Sequence, residues 1–201
     1  MNGRAFAVVA VVVVSAVPAI AAPVELASCE QDMGCSFEPV PSNRLTIRAS
    51  STLADKKNRY AAAMLLDDDE KTAWCEGKKE DGIGETITVE FRQPTKVELI
   101  LITPFYAKSF DTATKNNRVA RLTLNLDGEK IAVVAGPHMY NMCGEVVDPK
   151  IPCTELSAPQ NFALDKVRTL KRVVLTIDAV DRGSAYRDTC LSTLRFLQPE
   201  A

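Results

Sequence analysis

Between residues 44 and 196 the chain alternates apolar and polar residues in one short run after another, and this pattern leaves few folds open. Residues 44–49 (RLTIRA), 86–91 (TITVEF) and 119–126 (VARLTLNL) repeat with a period of two, as a strand with one buried face requires. Residues 97–103 (VELILIT) are more continuously apolar, as in a strand enclosed within a core. The run 119–126 ends at Asp127-Gly128, a strong signal for a two-residue hairpin into residues 130–134. Residues 173–177 (VVLTI) and 191–196 (LSTLRF) close the series. Residues 60–66 (YAAAMLL) are rich in helix formers and predict a helix of a turn or two. Many short strands divided by turns predict an all-β fold, an antiparallel jelly-roll β-sandwich with one short helix. No repeat and no second domain is visible.

Composition removes several function classes. Charged residues at 25% and hydrophobic residues at 46% exclude a disordered chain and a membrane bundle. Lys and Arg total 24 against 26 Asp and Glu, with no basic block, so no nucleic-acid partner held by phosphate contacts is expected. His138 is the single histidine, which argues against His-rich metal sites and His-pair catalysis. With Tyr140 and Met142 it reads as an incidental loop residue.

The N-terminus reads as a targeting segment. Arg4 precedes an apolar stretch at residues 5–17, broken only by Ser15, and Pro18 and Ala19-Ile20-Ala21 follow with small residues at a signal-peptidase site. Residues 1–21 are therefore expected to be a signal peptide. Its loss takes the formal charge from −2 to −3, because Arg4 is its only charged residue. Two other readings stay open: an uncleaved anchor reaching Val24, and lipidation of Cys29 in Leu26-Ala27-Ser28-Cys29, although Glu25 interrupts the apolar approach. The location is then secreted or periplasmic, or membrane-anchored as a lipoprotein through Cys29. Residues 22–43, rich in Pro, Ser and acidic residues, read as a linker, and residues 44–201 as the domain.

All 6 cysteines lie beyond this segment, and an even count in an oxidising compartment reads as disulfides. No C-x-x-C occurs, which disfavours a zinc knuckle or a thioredoxin-type site. Spacing favours the local pairs Cys29–Cys35 and Cys143–Cys153 and leaves Cys75–Cys190 as a long-range bridge. The alternative is that Cys75 and Cys190 are buried free thiols.

Several residues carry candidate chemistry. Asp67-Asp68-Asp69-Glu70 and Thr72 form an acidic turn, either solvated or gathered as hard oxygen ligands for Ca²⁺. Trp74, the only Trp, is either a sugar-stacking ring or a core anchor beside Cys75; in a chain with 6% aromatics the core is expected. Tyr106, Lys108 and Arg118 flank a polar loop, where they offer hydrogen bonds to sugar hydroxyls or acidic groups, or support the loop itself. Tyr186, Arg187 and Asp188 follow Gly183, expected to set a tight turn, while Asp188 and Thr189 equally suit backbone groups near Cys190. Asp81 with Glu85 is a carboxylate pair of the kind a glycosidase uses.

Three blocks together carry a resemblance: residues 60–84 (YAAAMLLDDDEKTAWCEGKKEDGIG) with Glu85, Tyr106-Ala107-Lys108-Ser109 with Asn116-Asn117-Arg118, and residues 182–192 (RGSAYRDTCLS). In order and spacing they resemble the discoidin, or coagulation-factor C-type, domain of the galactose-binding-like superfamily. Within it they are most similar to the glycan-binding and translocation domain attached to streptococcal NAD glycohydrolase. The resemblance covers about residues 44–197. It implies an eight-stranded jelly roll whose loops at one end bind sugars, lipids or protein surfaces, with no catalysis of its own. It favours Trp74 in the core, and it implies ligand contacts from Tyr106, Lys108, Arg118, Tyr186 and Arg187. No cofactor is required, but related domains often hold structural Ca²⁺, and Asp67, Asp69 and Thr72 match that motif. Two residues depart from it: Asp68 replaces the usual Gly, and Thr193 replaces the acidic residue expected after Ser192. Pro104-Phe105 stands where Asn-Gly usually precedes the Tyr, so ligand specificity does not transfer.

The expected function is therefore an exported non-catalytic binding module recognising carbohydrate or a glycosylated surface. An envelope protein–protein adaptor or inhibitor is the alternative, and a small glycosidase is a third reading. Intact-mass measurement of the exported protein should show a chain starting at Ala22; a diacylated Cys29 would establish the lipoprotein instead.

Overall fold

The computed structural model describes residues 20–21, 37–135, 140–141, 156–157 and 160–199. Two long strands organise it. Thr86–Thr103 (β5) and Gln160–Asp181 (β10) run antiparallel along most of their lengths and take part in both layers of a sandwich. In the first layer the opening half of β5 pairs with Leu45–Ala49 (β3). In the same layer the closing half of β10 pairs with Arg118–Leu126 (β6), which pairs in turn with Glu129–Val134 (β7). In the second layer the closing half of β5 pairs with Thr193–Pro199 (β12), and β12 carries Phe37–Pro39 (β2) on its outer edge. Ile20–Ala21 (β1) lies parallel to β7.

The corner between the layers explains one departure from the sequence pattern. Residues 86–91 and 97–103 are not separate strands but parts of β5. Leu170 of β10 faces Thr95, yet Arg172 faces Glu90, so residues 91–94 of β5 bulge opposite Lys171 alone. Such a bulge bends and twists a strand, and it tolerates the missing donor of Pro94. Residues 173–177 are likewise the middle of β10, and residues 191–196 divide into Cys190–Leu191 (β11) and the start of β12, with Ser192 between them.

The inward residues of both layers form one core, including Ile87, Val89, Ile100, Ile102, Leu122, Leu124, Val173, Leu175 and Leu194. The rings of Phe91 and Phe196 meet edge to face at 5.0 Å across it. Asp127 and Gly128 take φ of 49° and 107°, the left-handed pair that a tight hairpin demands, as the Asp-Gly signal predicts. Residues 60–66 depart from expectation. They hold a 3₁₀ turn at Ala62–Leu66, because Ala62 and Leu65, three apart, are the residues buried on the core. The α-helix lies instead at Phe110–Lys115 (α1). Ser109 caps it, its hydroxyl accepting from the Thr112 N–H while Thr112 Oγ1 accepts from the Ser109 N–H. A helix of Phe, Asp, two Thr, Ala and Lys has little intrinsic propensity, which hid it from the sequence. The stretch read as linker also contributes: β2 adds a strand, and Val40 is buried.

Trp74–Cys75 (β4) pairs with β11, and Cys75 and Cys190 form a disulfide, which rules out free thiols at these positions. Trp74 is fully buried and its Nε1–H donates to the Ser51 carbonyl at 2.9 Å, so it is a core anchor. The expected pairs Cys29–Cys35 and Cys143–Cys153 lie outside the described residues, as do His138 and the signal cleavage site's downstream residue. The Cys75–Cys190 bridge spans 115 residues. A double Cys75→Ala/Cys190→Ala variant should lose about 2–5 kcal/mol in denaturant unfolding.

Candidate functional site

The anchor formed by β4 and β11 gathers three loops at one end of the sandwich: residues 76–85 before β5, 104–117 after it, and 182–189 after β10. At their centre is Asp81, whose residue is 8% exposed. Arg187 donates from Nε to Oδ1 at 2.9 Å and from Nη2 to Oδ2 at 3.1 Å. Arg182 donates from Nε and Nη2 to Oδ2 at 3.2 and 2.8 Å. These two guanidinium groups hold the Asp81 carboxyl well below its ordinary range. The side chains of Arg182 and Arg187 stay 70% and 58% exposed, so their remaining N–H donors face outward.

Buried polar groups fix this clamp from beneath. Asn117 is 1% exposed. Its Nδ2 donates to the Arg187 carbonyl at 2.8 Å and to Asp81 Oδ1 at 3.4 Å, and its Oδ1 accepts from the Gly183 N–H at 3.0 Å. Thr189 Oγ1 donates to the Asp81 carbonyl at 2.7 Å, the backbone role foreseen for that stretch. Gly183 is needed for close approach rather than for the tight turn expected of it. A Cβ there would fall 2.3 Å from the Lys115 carbonyl oxygen and 2.4 Å from that of Asn116. The following N–H groups of Ser184 and Tyr186 donate to the Thr114 and Lys115 carbonyls, seating the loop on α1.

Two further carboxylates lie close by. Glu85 is opposed by burial, but the Ser50 and Ser51 hydroxyls and Lys78 outweigh it and keep its carboxyl below the ordinary value. Glu76 is fully buried, and burial pushes its carboxyl up, although the Lys78 N–H donates to it at 2.6 Å. The surface between Lys78, Ile83, Glu85, Arg182 and Arg187 is an open cleft of about 690 Å³.

The residues singled out from the sequence fall into distinct settings. Tyr186, 52% exposed, and Arg187 stand on the clamp loop. Lys108 is exposed on the neighbouring loop before α1. Tyr106 is partly buried, edge to face with Tyr60 at 6.1 Å, and packs against the cluster around the disulfide. Arg118 is ion-paired with Asp181 at the start of β6. Asp67, Asp69 and Thr72 share one turn elsewhere, where Thr72 Oγ1 donates to Asp67 Oδ2 at 2.8 Å and Asp69 Oδ1 accepts from the Lys71 N–H at 2.9 Å. Asp68 in that turn pairs with Arg195 at 3.0 Å. The turn thus directs its oxygens onto its own donors and onto Arg195 of β12, and no group of three or more His, Cys, Asp or Glu residues among those described is placed to hold a metal. Fitting Ca²⁺ would require these bonds to be exchanged for six to eight oxygen ligands. Arg182 and Asn117, within blocks already notable in the sequence, were not singled out there. Their signal was the two polar runs that hold them, Asn116-Asn117-Arg118 and residues 182–189 around Gly183, whose partners only the fold reveals.

Residues 42–197 match the family model described as NAD glycohydrolase translocation F5/8 type C domain. The chain belongs to this family. Solved structures agree on the fold of this F5/8 type C domain. A family 32 carbohydrate-binding module from Clostridium perfringens NanJ, in complex with galactose, superposes with a TM-score of 0.54 at 14% identity, over 81% of this chain and 100% of that one. The paired family 32 modules of C. perfringens ZmpB in complex with GalNAc give 0.55 at 13%, over 81% of this chain and 35% of that one. An F5/8 type C domain from Bacteroides fragilis gives 0.52 at 12%, over 82% and 98%. Among curated proteins, no sequence matches the chain.

Asp81 is charged above its unfolded pKa near 3.8 and stays charged in the fold at lower pH, so its contribution to stability is complete above that value. Asp81→Asn should lower Tm at pH 7. The gap to the wild type should close as pH falls below about 4, through the depressed folded-state pKa.

Proposed function

We propose that this F5/8 type C domain is an exported, non-catalytic module that binds carbohydrate through the loop end of its sandwich. Its family and its fold neighbours, several of which are carbohydrate-binding modules, support a binding role. The observation that carries the proposal is the clamp: two exposed guanidinium groups held rigidly by one buried carboxylate, with exposed Ile83 lining the same cleft. Guanidinium donors suit sugar hydroxyls and carboxylates, and an apolar side chain suits the C–H face of a pyranose. Tyr186 and Lys108 extend the same end as exposed contacts, while Tyr106 and Arg118 shape the loops that present them.

The chemistry speaks against a glycosidase. A general acid near neutral pH needs a raised pKa in reach of substrate. Asp81 and Glu85 are both lowered, Glu76, which is raised, is sealed beneath the loop, and Asp188, also raised by burial, is only partly exposed. An adaptor role would place a protein on the same loop end.

On a glycan array, the purified chain should bind galactose- or GalNAc-terminated glycans weakly as a monomer and more tightly to multivalent display. Tyr186→Ala and Arg187→Ala should each reduce binding, and Tyr186→Ala should leave Tm nearly unchanged. Turnover of a glycan or of NAD by the chain would overturn the proposal, as would selective capture of a protein with no glycan binding.

A further inference from the structure

The opposite end of the sandwich holds a second cleft. The β5 corner, the last residues of β12 and the entry to β3 enclose about 490 Å³ there. Arg44, Arg92 and Lys96 all line it, against the single carboxylate of Glu38. Most arginines of the described residues are paired with a carboxylate within 4.0 Å, including Arg48, Arg118, Arg168, Arg172 and Arg195. Arg44 and Arg92 have no such partner among the described residues, and neither does Lys96. Three cations in one cleft repel one another, at a cost that an anion entering the cleft would remove.

The backbone around these groups is fixed. The Arg44 N–H donates to the Pro41 carbonyl at 2.9 Å, and Thr95 Oγ1 donates to the Gln93 carbonyl at 2.8 Å, so the corner carrying Arg92 and Lys96 is braced. The rest of the lining suits a sugar more than a bare ion. Gln93 and Gln198 bring amides that both donate and accept, and Pro94 and Pro199 bring compact apolar rings. The volume lies in the range of small-ligand clefts and exceeds what one inorganic anion fills.

We propose that this end is a second binding site, for an acidic saccharide bearing sulfate or carboxylate groups. Arg44, Arg92 and Lys96 hold its charges, the amides of Gln93 and Gln198 bond its hydroxyls, and Pro94 and Pro199 pack against a ring. The module is then two-ended, and this site stands independently of ligand binding at the Asp81 clamp.

Titration calorimetry on the full chain with a heparin-derived hexasaccharide tests the assignment. Wild type should bind, with affinity falling as salt rises. Arg92→Gln/Lys96→Gln should weaken binding at least about tenfold with unchanged Tm, as expected for lost charge-assisted hydrogen bonds, whereas the charge-matched Arg48→Gln/Lys71→Gln, at exposed positions outside both clefts, should not. Amide shifts of the wild type on adding the hexasaccharide should concentrate at residues 92–96 and 198–199, which decides the matter even where a variant folds poorly. The proposal is overturned by equal affinity in wild type and the corner variant, or by an equal loss in the Arg48/Lys71 variant. It is also overturned if inorganic sulfate competes as well as the hexasaccharide, or if phosphatidylserine vesicles bind through these residues and the hexasaccharide does not.

Discussion

Everything at the loop end depends on the pairing of two residues far apart in sequence. Cys75 and Cys190 face each other in the short β4–β11 ladder and are covalently joined, with Trp74 buried beside them. Loop 76–85 begins directly after Cys75, and loop 182–189 ends directly before Cys190. The bridge therefore fixes the distance between the two segments that supply Asp81 on one side and Arg182 and Arg187 on the other. Without this tie, two mobile loops would have to be ordered for each ion pair, and exposed ion pairs rarely repay that entropy.

On this tie the protein builds a charge clamp with a hydrogen-bonded base. Asn117 and Thr189 satisfy the buried backbone under the clamp, and Gly183 lets the loop touch the end of α1 without a Cβ in the way. The arrangement leaves cationic donors exposed and keeps their counter-charge within. Such a surface presents donors and small apolar patches, with the Asp81 and Glu85 carboxyls beside them stabilised in their charged form. The corner of β5 creates a different surface at the far end, where cations gather with little internal compensation. The two ends thus differ in the same physical respect, namely whether the protein neutralises its own arginines.

The contrast between Tyr106 and Tyr186 shows how far residue type alone goes. Both are tyrosines in polar loops beside basic residues. Tyr106 packs against Tyr60 and the disulfide cluster, while Tyr186 follows the close approach of loop and helix and is left outside. Nothing local distinguishes them; the neighbour that covers one of them lies about 46 residues earlier in the chain. The helix is a similar case. Residues 60–66 had the propensity, but core contacts three residues apart tightened them to 3₁₀, while a reciprocal Ser109–Thr112 cap gave α1 to a segment of poor formers.

The sequence by itself determined the layers and their family. Period-two alternation records which face of each strand is buried, the Asp-Gly pair encodes its own backbone turn, and the three motif blocks carry the F5/8 type C likeness, because all of these are written in local residue order. Only the tertiary structure decided that two strands bend through both layers and that Asp81 is shared by Arg182 and Arg187, while it bore out the Cys75–Cys190 bridge that cysteine spacing had left as the long-range pair. It also decided that Arg44, Arg92 and Lys96 converge at the far end. These are contacts between residues distant in the chain, and a charge acquires its partner, its exposure and its pKa only when the fold brings such residues together.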